Sequence, residues 1–434
     1  MKIAALLPTH QHITDKKKRN RINVKNYFGL KIIVNEIKLK LGYDVEYIDY
    51  SRVKEFDIIL FSLHSISDYY ALVYTIEKKL KGKRSGVWIC GGAGVVNINL
   101  LIDYFDYIVL GRGEELIIEL LNNVRNKKII KHESIVVGSH YHSSRIYKIN
   151  YTQKLYVDSK AGLIEQMYGC KYNCYYCNYR YTALPPNLRE EDNKTTMPGN
   201  EETFWDLEIK NGSFYTTSLD GLTEEIRYKV NKPISNKMII EKIVKASKIT
   251  NIINLKLYLI IGYPGEKELN LKELYNVFNE INKKVDKCKI FIKLHFTPFA
   301  ASPSTPMQWE KVDIINDYRE KIEELRQTNK YMYEGNSVRV LYMRTTIMPI
   351  ELLKRMVYYR GGLEDMDLIK YIATSRAVIS HSINNKTKLS NIKKQYNLNK
   401  FTSQYPVGTQ LESSNIKSWQ SDEMIIKQAN LYRK

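Results

Sequence analysis

The run GCKYNCYYCNY, residues 169–179, carries Cys170, Cys174 and Cys177 in the spacing C-x3-C-x2-C. Three thiolates on one short loop can hold three irons of a [4Fe–4S] cluster and leave the fourth iron without a protein ligand. An open iron can bind a small molecule, which a cluster held by four cysteines cannot easily do. The run therefore predicts a metal cofactor with one exchangeable position.

The alternative for these cysteines is a structural zinc site. Zinc would need a fourth Cys or His at finger-like spacing, and none follows within reach in the sequence. His140 and His142 lie about thirty residues upstream of Cys170. The spacing and its context favour the cluster over zinc.

Length and composition limit the class of protein. A chain of 434 residues is too long for one ordinary core, so two or three domains are expected. No apolar run approaches the ~20 residues that a membrane helix needs, and the start, MKIAALLPTHQH, has too short an apolar stretch for a signal peptide. Five cysteines, three of them in one motif, fit a reducing compartment. We therefore predict a cytoplasmic protein with no membrane partner.

Residues 1–135 alternate strand and helix patterns. Short apolar runs of this kind are typical of buried parallel strands, and a helical pattern over residues 30–41 ends at Gly42, a predicted C-cap. We expect a Rossmann-like, doubly wound sheet that binds ligand at the carboxyl ends of its strands. No GxGxxG follows the first strand, so a dinucleotide is not expected. The predicted strands are KIAALLP, YDVEYIDY, FDIILFS, GVWIC and YIVLG.

Residues 161–310 contain the cysteines and further strand–helix units, including a helical pattern over residues 271–285. We predict a partial (β/α)6 TIM-type barrel with its site at the carboxyl ends of the strands. Its strands would include AGLIEQMYG, GSFYTTS, LKLYLIIGYP and CKIFIKLHF, with the cysteine loop directly after the first.

The remaining segments are a predicted linker, residues 136–160, and a small α-rich C-terminal extension, residues 311–434. The extension begins with a charged helical pattern near residues 311–331, then the strand-like SVRVLYM and a helix near residues 365–379. From about residue 382 the tail is rich in Lys, Asn, Ser and Gln. Such a composition predicts either disorder or an ordered docking arm.

The sequence resembles radical S-adenosylmethionine (SAM) enzymes that carry an N-terminal cobalamin-binding domain. The cysteine spacing, with Tyr176 just before the third cysteine, matches the signature of that superfamily, and further matches extend over most of residues 25–375. In such enzymes the open iron chelates SAM. The matching strings are YFGLKIIVNEIKLKLGYDVEYIDY, ICGGAGVVNINLLIDYFDYIVLGRGEE, RYKVNKPISNKMIIEKIVKA, LKLYLIIGYPGE, FTPFAASPSTPMQW and KRMVYYRGGLEDMDLIKYI.

The resemblance implies a set of SAM-binding residues. Gly262 and Pro264 end a predicted strand where the backbone can pass close to adenine, although the alternative is a plain turn. Ser218 and Asp220 end another strand and are expected to hydrogen-bond the ribose or carboxylate of SAM. The family's Gly-Gly-Glu element is absent, and MPGNEE, with Gly199 and Glu201, is the nearest candidate.

The resemblance also implies a cobalamin site in the N-terminal domain. Ser62, Gly91 and Gly92 stand at about the family's spacing between a serine element and a Gly-Gly pair. The D-x-H-x-x-G motif that supplies a lower axial histidine is missing, and His10 and His12 are alternative ligands. The first reaction expected is cobalamin-linked methylation of an unactivated carbon. The second is a corrinoid-free rearrangement, ring formation or sulfur insertion, and a non-catalytic binding protein is least expected.

The chain carries 67 basic against 47 acidic residues, a net charge of +20. Basic residues concentrate in DKKKRNR, residues 15–21, and in the tail 382–434, which has 9 Lys and Arg against 3 Asp and Glu. Basic patches attract polyanions, so nucleic acid is a candidate partner, with a solvated surface as the alternative. The reductive chemistry implied by the resemblance also predicts a reductant such as flavodoxin or ferredoxin.

Overall fold

The structure of the protein is a computed structural model. The structure describes residues 1–6, 27–82, 84–128, 130–142, 145–151, 155–165, 170, 172–179, 205, 214–266, 269–314, 332–342, 349–375, 385–417 and 420–433.

A six-stranded sheet with the order β2-β1-β3-β4-β5-β6 organises the N-terminal part. Strands β1 to β5 are parallel, and β6 runs antiparallel to β5 at the edge. The order 2-1-3-4-5 is that of flavodoxin-like sheets, which bind ligand at the carboxyl ends beside the point where the strand order reverses. The predicted parallel α/β sheet is confirmed. Its strands are β1 (Ile3–Leu6), β2 (Val45–Ile48), β3 (Ile58–Ser62), β4 (Val87–Gly91), β5 (Tyr107–Val109) and β6 (Ile135–Val137).

Helices cover both faces of this sheet. One face packs on α1 (Phe28–Leu41) and α3 (Glu114–Arg125), and the other on α2 (Ile66–Tyr74). Helix α1 ends as predicted, at Gly42 with a φ of 71°. The α2 face is completed from far along the chain by α7 (Pro349–Arg360) and α8 (Met366–Thr374).

A five-stranded sheet with the order β10-β11-β12-β14-β13 organises the second part. Strands β10, β11, β12 and β14 are parallel, and β13 is an antiparallel edge. One face packs on α5 (Asn236–Ser247) and α6 (Lys272–Lys284). Helix α6 is the helix predicted over residues 271–285. The short α4 (Glu224–Lys229) precedes α5. The strands are β10 (Phe214–Ser218), β11 (Ile252–Ile261), β12 (Lys289–Pro298), β13 (Tyr333–Glu334) and β14 (Val338–Tyr342).

The stretch predicted as the first barrel strand, residues 161–169, does not join this sheet in its described part. Strand β9 (Leu163–Ile164) instead pairs antiparallel with β8 (Val157–Asp158) in a small hairpin. The turn between them is closed by the Asp158 carboxylate, which accepts backbone N–H groups of Lys160 and Ala161. Residues 166–169 lie outside the described residues, and the six-stranded barrel stays a prediction.

The described part of the tail is folded. It contains α9 (Asn385–Gln395), α10 (Asn399–Thr402), α11 (Asp422–Arg433) and β15 (Ile416–Lys417), which pairs with β7 (Tyr147–Lys148). Of the two sequence expectations for this tail, an ordered arm is the one observed. Within the described residues no helix is both long and apolar enough to span a membrane. Most of the helix predicted near residues 311–331, residues 315–331, lies outside the described residues.

Candidate functional site

The cysteine loop, residues 169–179, is described at residues 170 and 172–179, and its backbone is bonded to neighbouring segments. The Tyr175 N–H donates to the Val230 carbonyl at 3.0 Å, and the Met307 N–H donates to the Tyr175 carbonyl at 3.1 Å. The Asn231 amide donates to the Asn173 carbonyl at 2.7 Å. Met307 lies beyond the carboxyl end of β12. These bonds hold the loop at the carboxyl side of the second sheet, where parallel α/β sheets bind ligand.

The three cysteines form no disulfide and lie in different surroundings. Cys170 and Cys174 are buried and Cys177 is half-buried. The Tyr172 N–H donates to the Cys170 sulfur at 3.4 Å. Burial raises the pKa of the Cys174 thiol well above its usual value, while the nearby Lys232 ammonium acts in the opposite direction. Within the described ranges, no three His, Cys, Asp or Glu side chains converge as metal ligands.

Ser218 and Asp220 meet at the carboxyl end of β10, close to Cys174. The Ser218 hydroxyl donates to Asp220 Oδ2 at 2.8 Å. Lys232, whose side chain is 0% exposed, lies 3.2 Å from that carboxylate and 3.2 Å from the Ser218 hydroxyl. Its ammonium also lies 4.2 Å from the centroid of the Tyr172 ring. A buried charge needs such compensation, so Lys232 fixes both candidate SAM-binding side chains beside the cysteine loop.

The turn after β11 approaches the same place. The Tyr263 hydroxyl donates to the Asp220 carbonyl at 2.8 Å, and its ring lies 6.0 Å from the ring of Tyr176. Gly262 has a φ of 78°, which favours glycine. The Gly262 N–H donates to the Glu266 carboxylate at 2.6 Å, so the turn is stabilised from within. Pro264 follows in this turn. The structure thus brings together the predicted residues from the cysteine loop, β10 and β11.

The candidate cobalamin residues lie at the carboxyl edge of the first sheet. Ser62 and Gly91 are register partners on β3 and β4. Gly92 has a φ of 109°, and a Cβ added there would lie 2.5 Å from the Leu63 carbonyl oxygen. Glycine is therefore required at 92 by the close approach of two protein segments. At Gly91 the nearest atom to such a Cβ would be 3.5 Å away, which is ordinary contact.

A cavity of about 260 Å³ lies between this edge, helix α7 and the cysteine loop. Lys354 in its wall is paired with Glu351 at 2.7 Å, and burial lowers the pKa of the Lys354 ammonium. The wall is held in place by long-range bonds, such as the Tyr70 hydroxyl to the Lys354 carbonyl at 3.0 Å. The lining includes His64, Ser65, Gly94, Asn178, Arg355 and Tyr359.

Other predicted residues cannot be placed. Gly199 and Glu201, the histidines His10 and His12, and the basic run at residues 15–21 lie outside the described residues.

Sequence reasoning missed Lys232 and the charged side chains of α7, Glu351, Lys354 and Arg355. A signal existed for both, because RYKVNKPIS and KRMVYYRGG belong to strings that resemble the radical SAM superfamily. Nothing in a single sequence, however, distinguishes a buried lysine from an exposed one.

No protein-family model matches the chain. The chain is 23% identical over 419 residues to the uncharacterized protein MJ0966 of Methanocaldococcus jannaschii, an alignment that covers 82% of this chain and 87% of that protein.

Solved structures of the cobalamin-dependent S-adenosylmethionine radical enzyme OxsB are also similar. The form with aqua-cobalamin bound has a TM-score of 0.37 and 11% identity, and the match covers 92% of this chain and 62% of that chain. The form with aqua-cobalamin and S-adenosylmethionine bound has a TM-score of 0.30 and 11% identity, and the match covers 91% of this chain and 56% of that chain. The chain thus spans about three fifths of the length of the solved chains it matches.

Proposed function

We propose that this protein is a radical SAM enzyme in which Cys170, Cys174 and Cys177 ligate a [4Fe–4S] cluster. The observation that carries the proposal is the C-x3-C-x2-C loop, anchored by its backbone at the carboxyl side of a parallel sheet. The chemistry of the donor set fits the cluster, because three thiols on one short loop leave one iron open. When bound, the cluster and SAM supply reductive cleavage to a 5'-deoxyadenosyl radical. The formation of 5'-deoxyadenosine tests the proposal.

The residues around the loop have separable roles in this proposal. Ser218 and Asp220 bind the polar groups of SAM, and Lys232 holds both side chains in place through the contacts at 3.2 Å. Tyr176 and the turn at Gly262 and Pro264 offer an aromatic and backbone surface for the adenine. Burial of the Tyr263 ring excludes water from this side of the loop. Gly199 and Glu201 remain proposed SAM ligands, and a flavodoxin or ferredoxin remains the proposed electron donor.

Cobalamin-linked methylation of an unactivated carbon is the finer reaction that the resemblance implies. The described residues at the edge of the first sheet do not fit the corrinoid that it requires. A Cβ on Gly92 would meet the Leu63 carbonyl oxygen at 2.5 Å, so a contact within the protein explains this glycine without a cofactor. The adjacent cavity, about 260 Å³, is below the range of pockets that hold drug-sized ligands, and a corrinoid is larger than such ligands. These two observations favour the second candidate, a corrinoid-free radical SAM enzyme that catalyses a rearrangement, ring formation or sulfur insertion.

We expect the cluster-loaded protein to retain no corrinoid after incubation with hydroxocobalamin and desalting under anaerobic conditions. The reason is steric, since a corrinoid is larger than the cavity of about 260 Å³ beside this edge can hold. The visible absorbance of the desalted protein is the measurement. Stoichiometric corrinoid would contradict this expectation and restore methylation as the preferred reaction.

Nucleic acid is the proposed polyanionic partner, on the strength of the net charge of +20 and the basic run at residues 15–21. We expect salt-sensitive binding of tRNA or DNA that weakens when residues 16–19 become Gln, because the substitutions remove contacts to phosphates. Each lost contact should also reduce the slope of log K against log salt concentration by up to about 0.9. Gel-shift titrations at two salt concentrations measure it. Absent binding at low salt, or equal loss in a control variant, removes the proposal. The control replaces four exposed lysines with Gln: Lys245, Lys248, Lys284 and Lys287.

A further inference from the structure

The second sheet has two faces of different character. Along β11 the residues Ile253, Leu255, Leu257, Leu259 and Ile261 are buried, and they share a core with residues of α5 and α6. The alternating residues between them are half-exposed on the opposite face. Strand β12 shows the same alternation. Side chains alternate between faces along a strand, so the half-exposed residues of both strands share the face away from the helices.

We call the face of the second sheet away from helices α5 and α6 its open face. Two lysines lie side by side on it. Lys256 of β11 and Lys293 of β12 are register partners in a parallel pair, and adjacent strands are about 4.8 Å apart. Thr216 of β10 continues the same row. The next row toward the cysteine loop contains Tyr258 and His295. The rows therefore lead from the paired lysines toward the site.

Ser218, one of the candidate SAM-binding residues, is the register partner of Tyr258 and so belongs to that second row. The two lysines are thus one row, two residues along each strand, from the proposed SAM site. A substrate group held there would be placed below the cysteine loop on the same face.

No carboxylate neutralises the two lysines within the described residues. The Lys256 ammonium donates to the Tyr258 hydroxyl and lies 4.5 Å from the centroid of that ring. Neither Lys256 nor Lys293 forms a salt bridge in the described part of the chain. Like charges opposite each other on neighbouring strands are destabilising, so folding alone gives no reason for the pair.

His295 responds to the positive charge of this face. Burial, followed by Lys256 and Lys293, lowers the pKa of His295 to about 4. The imidazole is therefore neutral at neutral pH, and its ring lies 5.1 Å from the Tyr258 ring. Its Nε2 is buried and has no hydrogen-bond partner in the described structure. A buried polar atom without a partner requires an explanation, and a bound ligand supplies one.

We propose that Lys256 and Lys293, with His295, bind a phosphate group of a small substrate on the open face of the second sheet. The inference rests on the proposed function and names the substrate class of that site. Two ammonium groups beside a neutral imidazole carry a charge of about +2, which matches the −1.5 to −2 of a phosphate monoester at pH 7. Lysine binds phosphate as a point charge.

Isothermal titration calorimetry with inorganic phosphate, whose charge at pH 7 is close to that of a phosphate monoester, tests the inference. We expect Lys256→Gln/Lys293→Gln to bind at least about tenfold more weakly than the wild type, and each single substitution to give a smaller loss. Lys256→Arg/Lys293→Arg should retain binding because it retains the charge. The control, Lys245→Gln/Lys248→Gln, makes the same change of charge at the C-terminal end of helix α5, which covers the opposite face, and should bind like the wild type.

Inorganic phosphate that binds equally to the Lys256→Gln/Lys293→Gln protein and to the control would overturn the inference, as would a wild type that does not bind it. Circular dichroism establishes that each variant is folded. Because the titration requires no SAM turnover, its result is independent of the proposed function. Failure to form 5'-deoxyadenosine in a separate assay would count against the radical SAM proposal and leave the phosphate site standing.

Discussion

Replacing Cys174 with alanine is expected to leave the reconstituted protein with little or no [4Fe–4S] cluster. The cluster in this proposal has only three protein ligands, and removing one leaves two irons without a thiolate. Cys170→Ala and Cys177→Ala should have the same effect. Iron and sulfide content, together with the visible charge-transfer absorbance after anaerobic reconstitution, provides the measurement.

The chain offers matched controls for these substitutions. Cys90 lies in β4 and Cys288 directly precedes β12, and both thiols are buried away from the loop. Cys90→Ala and Cys288→Ala should therefore keep the full iron content. Undiminished iron in Cys174→Ala would contradict the ligand assignment, and stoichiometric zinc in the purified protein would restore the zinc alternative.

Replacing Arg360 with methionine is expected to destabilise the fold by about 3–5 kcal/mol, as breaking a buried charged network does. Its guanidinium donates to four carbonyls, those of Phe401, Ser403, Gln308 and Glu310, at 2.7 to 3.2 Å. It thereby joins α7 to two segments that are distant in sequence. Burial lowers the pKa of Arg360 to about 10, so the side chain still carries its charge at neutral pH. Methionine would leave all four carbonyls without this partner.

The free energy of unfolding from urea denaturation measures this loss. Arg125→Met is the control, because Arg125 is exposed in the last turn of α3 and should change stability by less than about 0.5 kcal/mol. A loss in Arg360→Met no larger than in the control would show that the tail is not held by this network.

Most strands of the two sheets were predictable because local sequence determines them, whereas the short edge strands β6 and β13 were not predicted. FDIILFS and GVWIC are short apolar runs, and they form the buried strands β3 and β4 as expected. Helix α1 was predictable to its last residue, since Gly42 at the C-cap adopts the φ that other residues avoid. The spacing of apolar residues and the glycine that ends a helix are properties of a few neighbouring residues, so one sequence is enough to show them.

The packing of distant segments was not predictable in the same way. Tyr70 donates to the carbonyl of Lys354, which is 284 positions along the chain. Helix α8 covers the first sheet although its sequence shows only an apolar stripe without a partner. A hydrophobic stripe shows that a helix must be covered and does not show by what.

The candidate site was partly predictable, because local sequence shows where strands end. Ser218, Asp220 and Gly262 could be placed at strand ends, and parallel strands bring such ends together. The pairing of Lys232 with Asp220 depends on a loop that folds back over β10, which no local pattern indicates. The need for glycine at 92 is likewise a matter of tertiary contact, since it arises from the carbonyl of Leu63.

The tail shows how few apolar residues can order a polar segment. Its composition left disorder and an ordered arm equally open. Four buried side chains, Ile392, Phe401, Ile425 and Tyr432, anchor its helices to the rest of the chain. Arg433 adds a contact of 2.6 Å to the carboxylate of Glu310. The overall composition of the tail, rich in Lys, Asn, Ser and Gln, does not reveal which few side chains are buried.

The most direct test of the central claim is the formation of 5'-deoxyadenosine from SAM by the anaerobically reconstituted protein with dithionite as reductant. The claim predicts 5'-deoxyadenosine from the wild type and from Cys288→Ala, and none above background from Cys174→Ala. Iron-loaded wild-type protein that does not cleave SAM would contradict the claim, and so would cleavage that survives Cys174→Ala.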